Sequence, residues 1–277
     1  MPTTVNDDTP RLAATVILAR PAPNQLEVYM TRRSASSAFA PDAFVFPGGT
    51  VDPQDFAERT QARTLGLDQD RFRNEFRANV PPELPNGESP VDRVVASGLL
   101  VAALRELFEE AGILIARTSH GAPVDARQVR SAAVRTQRIR VRNGELGFAD
   151  FLERREWFAD AHALTLFSHW ITPPSEPRRY NTHFFFAYAP ADQAGRADAF
   201  ETHDGIWIAP RLALDQYRRD RFHLVYPTIK HLERLAAFDS VESALAFARS
   251  KPVLTIMPTA TTTDAGFEIP APLENAW

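Results

Sequence analysis

Residues 105–113 read Arg-Glu-Leu-Phe-Glu-Glu-Ala-Gly-Ile, which places Glu106, Glu109 and Glu110 beside Arg105 on one short helical stretch ending at Gly112. At about 100° per residue the three carboxylates fan over an arc of roughly 100°, close enough to share a cation. Leu100, Leu104, Leu107, Phe108 and Ala111 take the opposite side, so the spacing predicts an amphipathic helix whose core stripe sets where the carboxylates point. Arg105 stands one turn before Glu109 and can hold its rotamer by pairing with it. Three crowded carboxylates repel one another unless something positive lies between them, and hard divalent cations such as magnesium or manganese accept oxygen ligands alone. Such a cation, with a base to take a proton from water, is what hydrolysis of a diphosphate bridge requires. A Glu-Glu pair taken alone is more often a solvated acidic face, so the flanking residues decide.

Upstream, Phe44-Val45-Phe46-Pro47-Gly48-Gly49-Thr50-Val51-Asp52 reads as a short apolar strand running through proline into paired glycines, which let backbone approach a ligand closely. Together the two stretches resemble the Nudix box: Gly, five residues, Glu, seven residues, then Arg-Glu-apolar-any-Glu-Glu-any-Gly-apolar. The second half matches at every specified position. The first glutamate of the box falls at Asp55 counting on from Gly49, and at Ser97 counting back from Arg105. Residues 56–104 separate Asp55 from Arg105, 49 where the motif has seven, so about 42 are inserted. An interrupted box of this kind resembles the Nudix branch that contains the peroxisomal coenzyme A diphosphatases. So do Met30-Thr31-Arg32-Arg33-Ser34 and Phe39-Ala40-Pro41-Asp42-Ala43 ahead of the glycines, and Trp170-Ile171-Thr172-Pro173-Pro174 leading through Pro177-Arg178-Arg179-Tyr180-Asn181 into the strand from His183. Trp207 near Pro210 and the helix start Tyr226-Pro227-Thr228 add to it. The branch usually has Asp where Asn181 stands.

The resemblance implies an α/β (α+β) fold, a Nudix-type α/β/α sandwich around a mixed β-sheet with helical insertions. It implies metal-dependent cleavage of a diphosphate bond in a nucleoside diphosphate linked to another group, with coenzyme A or acyl-coenzyme A the favoured substrate. ADP-ribose or NADH is the alternative within enzymes, and a non-catalytic nucleotide-sensing module the alternative outside them. By resemblance Glu106, Glu109 and Glu110 with the carbonyl of Gly49 bind Mg2+ or Mn2+, and Arg105 orients a glutamate. Glu106 is the first candidate for general base and Glu201 the second, with Asp204 a third. Arg33, Gly48, Arg178 and Arg179 are expected at the substrate phosphates, against the plain reading of Arg178 and Arg179 as exposed turn residues. Trp170 and Tyr180 suit core packing better than adenine stacking.

The elements that must hold these residues are legible in outline. Leu12–Ala19 and Leu26–Thr31, joined by Pro21–Asn24, form a hairpin pattern. The insertion, about residues 56–97, carries a helix-like stretch near Arg71–Ala78 and a loop at Pro81–Gly87, and its near-zero net charge suggests a surface excursion. Residues 117–165 read as a helical insertion. Within it Asp125–Arg142 is rich in arginine, as on a solvated helix covering a sheet edge, or beside a multiply phosphorylated ligand. Phe148, Phe151, Leu152 and Trp157 are expected to pack the helical segment that follows. Strands return at Thr182–Tyr188, Gly205–Ile208 and Val253–Met257, with helices at Leu212–Tyr217, Pro227–Leu235 and Val241–Arg249. One domain over residues 11–258 is expected, between a polar tail at 1–10 and a Thr- and Pro-rich tail at 259–277.

The 277 residues, 44% of them hydrophobic, suffice for a full core. A net charge of −4 argues against a nucleic-acid partner bound by bulk charge. Absence of cysteine removes disulfides, thiolate zinc sites and a cysteine nucleophile. Leu12–Ala19 is too short to span a membrane and lacks a signal peptide's layout, so a cytoplasmic protein is expected, without membrane partner; a homodimer is compatible with everything above. Asn275-Ala276-Trp277 is no peroxisomal address. None of the seven histidines has metal-ligand spacing; His162, His169 and His183 are expected to serve packing or hydrogen bonding.

Overall fold

The computed structural model describes residues 9–34, 40–68, 76, 91–193, 205–261, 266–271, 273–274 and 277. In chain order its strands are β1 (Arg11–Ala22), β2 (Gln25–Arg32), β3 (Phe44–Val45), β4 (Gly48–Thr50), β5 (Thr64–Leu65), β6 (Ala116–Thr118), β7 (Trp157–Asp160), β8 (Leu164–Ile171), β9 (Tyr180–Tyr188), β10 (Gly205–Ile208), β11 (Thr255–Ile256), β12 (Thr259–Ala260) and β13 (Phe267–Glu268). The helices are α1 (Glu58–Gln61), α2 (Arg93–Ala111), α3 (Ala126–Val129), α4 (Ala132–Arg142), α5 (Phe148–Arg154), α6 (Pro210–Arg218), α7 (Tyr226–Leu235) and α8 (Val241–Ser250).

The principal sheet runs β10-β2-β1-β9-β8-β11, with β3 paired to β2 and β4 to β1. Strand β1 is the spine. Its C-terminal half forms the expected hairpin with β2, its N-terminal half pairs antiparallel with β4, and it runs parallel to β9 along nearly its whole length. Helices cover both faces of the sheet, and the apolar runs of β1 and β9 supply a core on each. Ala14, Val16, Leu18, Phe185 and Ala187 face α2, while Ile17, Ala19, Phe184 and Phe186 face α7 and α8 through Leu232, Leu235 and Ala244. The result is a helix-sheet-helix sandwich around a mixed sheet.

Helix α2 departs from the amphipathic expectation. Asp92 caps its first turn through the amide of Val95, and Gly112 ends it in the left-handed conformation at φ 67°. Between them Ala96 to Leu104 are all buried, because a second layer covers the side away from the sheet. Phe56 lies where a side chain on Gly98 would be, and Phe108 stacks on Phe151 at 4.6 Å. Beyond the exposed first turn, the side that opens toward solvent lies in the last two turns, and it bears the glutamates.

The second layer corrects two expectations. Residues 117–165 are not wholly helical: β6 and β7 pair with each other, and β7 pairs with β5 from the box insertion. Trp157 accordingly packs from a strand. The insertion is no mere surface excursion either, for Thr60 and Thr64 are buried within its first part, and Phe76 reaches the core beside His183 and Phe185. Apart from Phe76, the stretches Arg71–Ala78 and Pro81–Gly87 lie outside the described residues. The arginine-rich stretch forms two helices, α3 and α4, packed with α2 and α5 and not along a sheet edge. Its Arg138 lies against Gly112, where the carbonyls of a helix C-terminus favour a guanidinium.

Strand β8 was not foreseen, because all eight of its residues are buried and no polar-apolar alternation marks it. Its polar groups find partners inside: Ser168 Oγ meets His231 Nε2 at 2.6 Å, and His169 meets Thr255 Oγ1 at 2.9 Å. The carbonyl of Phe167 accepts from Lys251 Nζ, which also lies over the Phe167 ring. Burial, with some help from Arg234, pushes the Lys251 pKa down to about 7. Between that value and the usual lysine pKa of about 10.4 the unfolded chain binds more protons, so this residue makes stability rise with pH across the window. The penalty is fully present below pH 7. Substitution Lys251→Met is expected to flatten that slope, seen as a smaller change in urea midpoint between about pH 7 and 9.5; parallel slopes for the two proteins would refute it.

Candidate active site

The site is built where the last two turns of α2 meet β4. Proline at 47 ends β3, and Gly48–Thr50 then pairs with Thr15–Ala13 of β1, which brings two glycines under the glutamates. A Cβ on Gly49 would collide with the Glu106 carboxylate, so only glycine allows this approach. The amide of Gly48 donates to Glu110 Oε2 at 3.0 Å.

Asp55 and Arg105 are the pivot. After Thr50 the chain makes a 3-10 turn, Pro53–Phe56, closed by a capping box in which Asp52 caps the turn and Asp55 accepts from the amide of Asp52 at 2.8 Å. Asp55, 1% exposed, then takes two parallel hydrogen bonds from Arg105, Nε to Oδ1 and Nη2 to Oδ2, each 2.9 Å. The same guanidinium donates to Glu106 at 2.8 Å, to Glu109 at 3.2 Å and to the carbonyl of Thr50 at 3.1 Å. The two ways of counting the box are thereby resolved: Asp55 faces Arg105, while Ser97 is buried within the helix.

Electrostatics at the site are unbalanced. Burial works against the charge on Arg105, yet the hydrogen bonds and charge of Asp55, with Glu106 and Glu109, hold its pKa above the usual range. Burial also raises Glu106 and Glu109, with Arg105 opposing in each case. Glu110 is pushed up to about 7, first by burial and then by Glu106 and Glu109, against the Gly48 amide and the charge of Arg33. Four carboxylates thus share two guanidiniums, Arg105 and Arg33.

The other expected residues fall into place unevenly. Arg33 stands by Glu110, its amide bonded to the carbonyl of Ala43. Arg178 is exposed on the turn between β8 and β9, and Arg179 donates through Nε to the carbonyl of Thr172 at 3.0 Å. Glu201 and Asp204 lie outside the described residues. Trp170 is buried in the core as expected. Asn181, in the place of the branch's usual Asp, accepts through Oδ1 from Nε2–H of buried His169 at 2.6 Å, and His169 stacks on His183 at 4.1 Å. This buried pair was not singled out as such, since only pairing of β8 with β9 puts the two rings in register. Burial holds His169 down to about 4 and pushes His183 well below the usual histidine range, so both are neutral at physiological pH.

Comparison with known proteins decides the lineage. The NUDT19 Nudix domain family matches residues 8–235. The chain belongs to this family. It is a Nudix hydrolase. An acyl-coenzyme A diphosphatase NUDT19 of Gallus gallus is 30% identical over 87% of this chain and 72% of its own length. The Xenopus laevis protein of the same name is 27% identical over 80% of the chain and 62% of its own length. Among solved structures, a NUDIX hydrolase from Alicyclobacillus acidocaldarius superposes with a TM-score of 0.65 at 25% identity, covering 88% of this chain and 97% of that one.

Nudix hydrolases generally use divalent metal ions, and the donor set here fits one: an all-oxygen cluster, negatively charged in excess, with Glu110 raised toward neutrality by burial and then by the neighbouring Glu106 and Glu109. Glu106 and Glu109 turn toward Arg105 and Glu110 toward the Gly48 amide; among the described residues no three of these groups converge as a ready-made cage. In this Nudix hydrolase, Gly49→Ala is expected to displace the Glu106 carboxylate and lower kcat by roughly 100-fold, with little change in the far-ultraviolet spectrum. Activity within twofold of the unmodified enzyme would show that Glu106 is not needed where it stands.

Proposed function

We propose that the chain is a metal-dependent diphosphatase of coenzyme A or its acyl thioesters, using Mg2+ or Mn2+. The observation that carries the reading is the Asp55–Arg105 fork holding Glu106 and Glu109 against the glycine strand beside Glu110, in a chain whose relatives are named acyl-coenzyme A diphosphatases. Glu106, Glu109 and Glu110 with the carbonyl of Gly49 are the ligand candidates. When bound, the cation neutralises the diphosphate oxygens and lowers the pKa of a bound water. The protein's own part is positioning: Arg105 fixes two glutamates at once, the amide of Gly48 fixes the third, and Arg33 supplies positive charge beside a phosphate. Glu106, 13% exposed at its side chain, is the first candidate to take a proton from water, with Glu201 the alternative base.

Coenzyme A bears a 3′-phosphate beyond its diphosphate. Arg178, exposed at the β8–β9 turn, suits that role better than the arginines of α3 and α4, where Arg130 bonds the carbonyl of Asp192 and Arg138 covers Gly112. The test is a panel of coenzyme A, dephospho-coenzyme A, octanoyl-coenzyme A, ADP-ribose and NADH with Mg2+ or Mn2+, products identified by mass. Cleavage of coenzyme A at the diphosphate is expected, and Arg178→Ala should raise KM for coenzyme A about tenfold while leaving dephospho-coenzyme A nearly unchanged. Preferred cleavage of ADP-ribose or NADH would replace the substrate and keep the chemistry.

A further inference from the structure

A cavity of about 360 Å³ lies on the α7 face of the sheet, lined chiefly by Trp170, Phe184, Leu224, Tyr226, Ile229 and Phe267. Its volume falls within the range of small-molecule sites, and its lining is apolar with few polar groups, as such sites are. One of those groups is unusual. Trp170 is 3% exposed, and its indole N–H meets no acceptor among the described residues. Buried indole N–H groups ordinarily find a partner, so an acceptor belonging to a ligand is the simplest completion of this wall.

The cavity and the glutamate site lie on opposite faces of the sheet, and two of the cavity's walls belong to segments that lead toward the site. Ala40 and Leu224 form one; Phe44 bonds the carbonyl of His223 and bridges to Leu224, and the same segment runs on into Gly48 and Gly49. Thr172, Pro173 and Glu176 form the other, on the turn that carries Arg178 and Arg179. Across the sheet, Trp170 pairs with Thr182, Thr182 with Ala13, and Ala13 with Thr50, whose carbonyl accepts from Arg105. Three strand spacings of about 4.8 Å put Trp170 roughly 14 Å from the box strand. A ligand with its diphosphate at the glutamates needs a long arm to reach so far, and an apolar end to be held there.

Resting on the substrate reading above, we propose that this cavity is the subsite for the acyl end of a coenzyme A thioester, its walls taking the hydrocarbon chain and the Trp170 N–H donating to the thioester carbonyl. It would make the enzyme selective for acylated over free coenzyme A, and it assigns Trp170 and Ile229 to specificity and not to catalysis.

The probe is S-octanoyl-pantetheine, which carries the acyl thioester and lacks the diphosphate, titrated calorimetrically into the full chain in excess chelator. Saturable binding is expected, weakened at least tenfold by Ile229→Trp, which fills the cavity from a half-buried helix position, and about fivefold by Trp170→Phe, which keeps a ring and removes the donor. In turnover, Ile229→Trp should raise KM for octanoyl-coenzyme A about tenfold and leave KM for coenzyme A unchanged. Unaltered melting temperatures would show that each variant folds. Absence of probe binding, or equal effects on acylated and free coenzyme A, would overturn the proposal. Probe binding that responds to both variants, in a protein that cleaves neither coenzyme A compound, would uphold the cavity and reject the diphosphatase reading.

Discussion

Replacing Glu109 or Glu110 by Gln should leave a folded protein and reduce kcat by about 100- to 1000-fold or more, the scale of losing one preorganised charge-stabilising group. The amide is nearly isosteric and its oxygen still accepts a hydrogen bond, so Arg105 keeps a partner in the first variant and the Gly48 amide keeps one in the second. What disappears is the negative charge. Glu110→Gln also removes the least comfortable carboxylate of the site, since burial already pushes it up to about 7, and the variant should therefore melt no lower than the unmodified protein. Excess chelator should mimic both substitutions. Full turnover in chelator, or activity within a fewfold of normal in both variants, would remove the glutamate cluster from the chemistry.

Asp55→Ala is expected to be the most destabilising single change at the site. The carboxylate is 1% exposed and receives both prongs of Arg105, so its loss strands a buried guanidinium with two partners that burial has already made reluctant to ionise. Breaking a buried pair from one side costs about 3–5 kcal/mol, which for a chain of this size corresponds to a melting point lower by roughly 10 °C. The double substitution Asp55→Ala with Arg105→Met should recover part of that loss, because it removes the stranded charge as well as the bond, though activity stays low. An Asp55→Ala protein as stable as the original would mean that the fork adds nothing to the fold.

How these groups came to be predictable differs from one to the next. Glu106, Glu109 and Glu110 were legible because helical phase follows directly from sequence spacing, and Gly48 and Gly49 because only glycine tolerates a side chain arriving where its own Cβ would be. The hairpin of β1 and β2 follows from short-range turn chemistry in the same way. Strand β8, by contrast, has no alternation to read, since Leu164 and Leu166 enter the core on the α2 side and Phe167 and Trp170 the core on the α7 side. The arginines of α3 and α4 have a pattern that suits a solvated helix on a sheet edge or a phosphate site, and packing instead puts Arg138 against Gly112 at the C-terminus of α2.

The sequence by itself determined the helical phase of the carboxylates, the glycine approach and the family, since each rests on residues a few positions apart whose geometry the backbone dictates. Tertiary structure alone decided that Asp55 and not Ser97 completes the box, that the middle of α2 is buried all round, that the insertion anchors itself through Phe76, and that Trp170 opens onto a cavity. Each of these depends on groups far apart along the chain, 50 residues in the case of Asp55 and Arg105. Which distant partner a side chain meets is set by the packing of whole layers, and that information is not carried by local spacing.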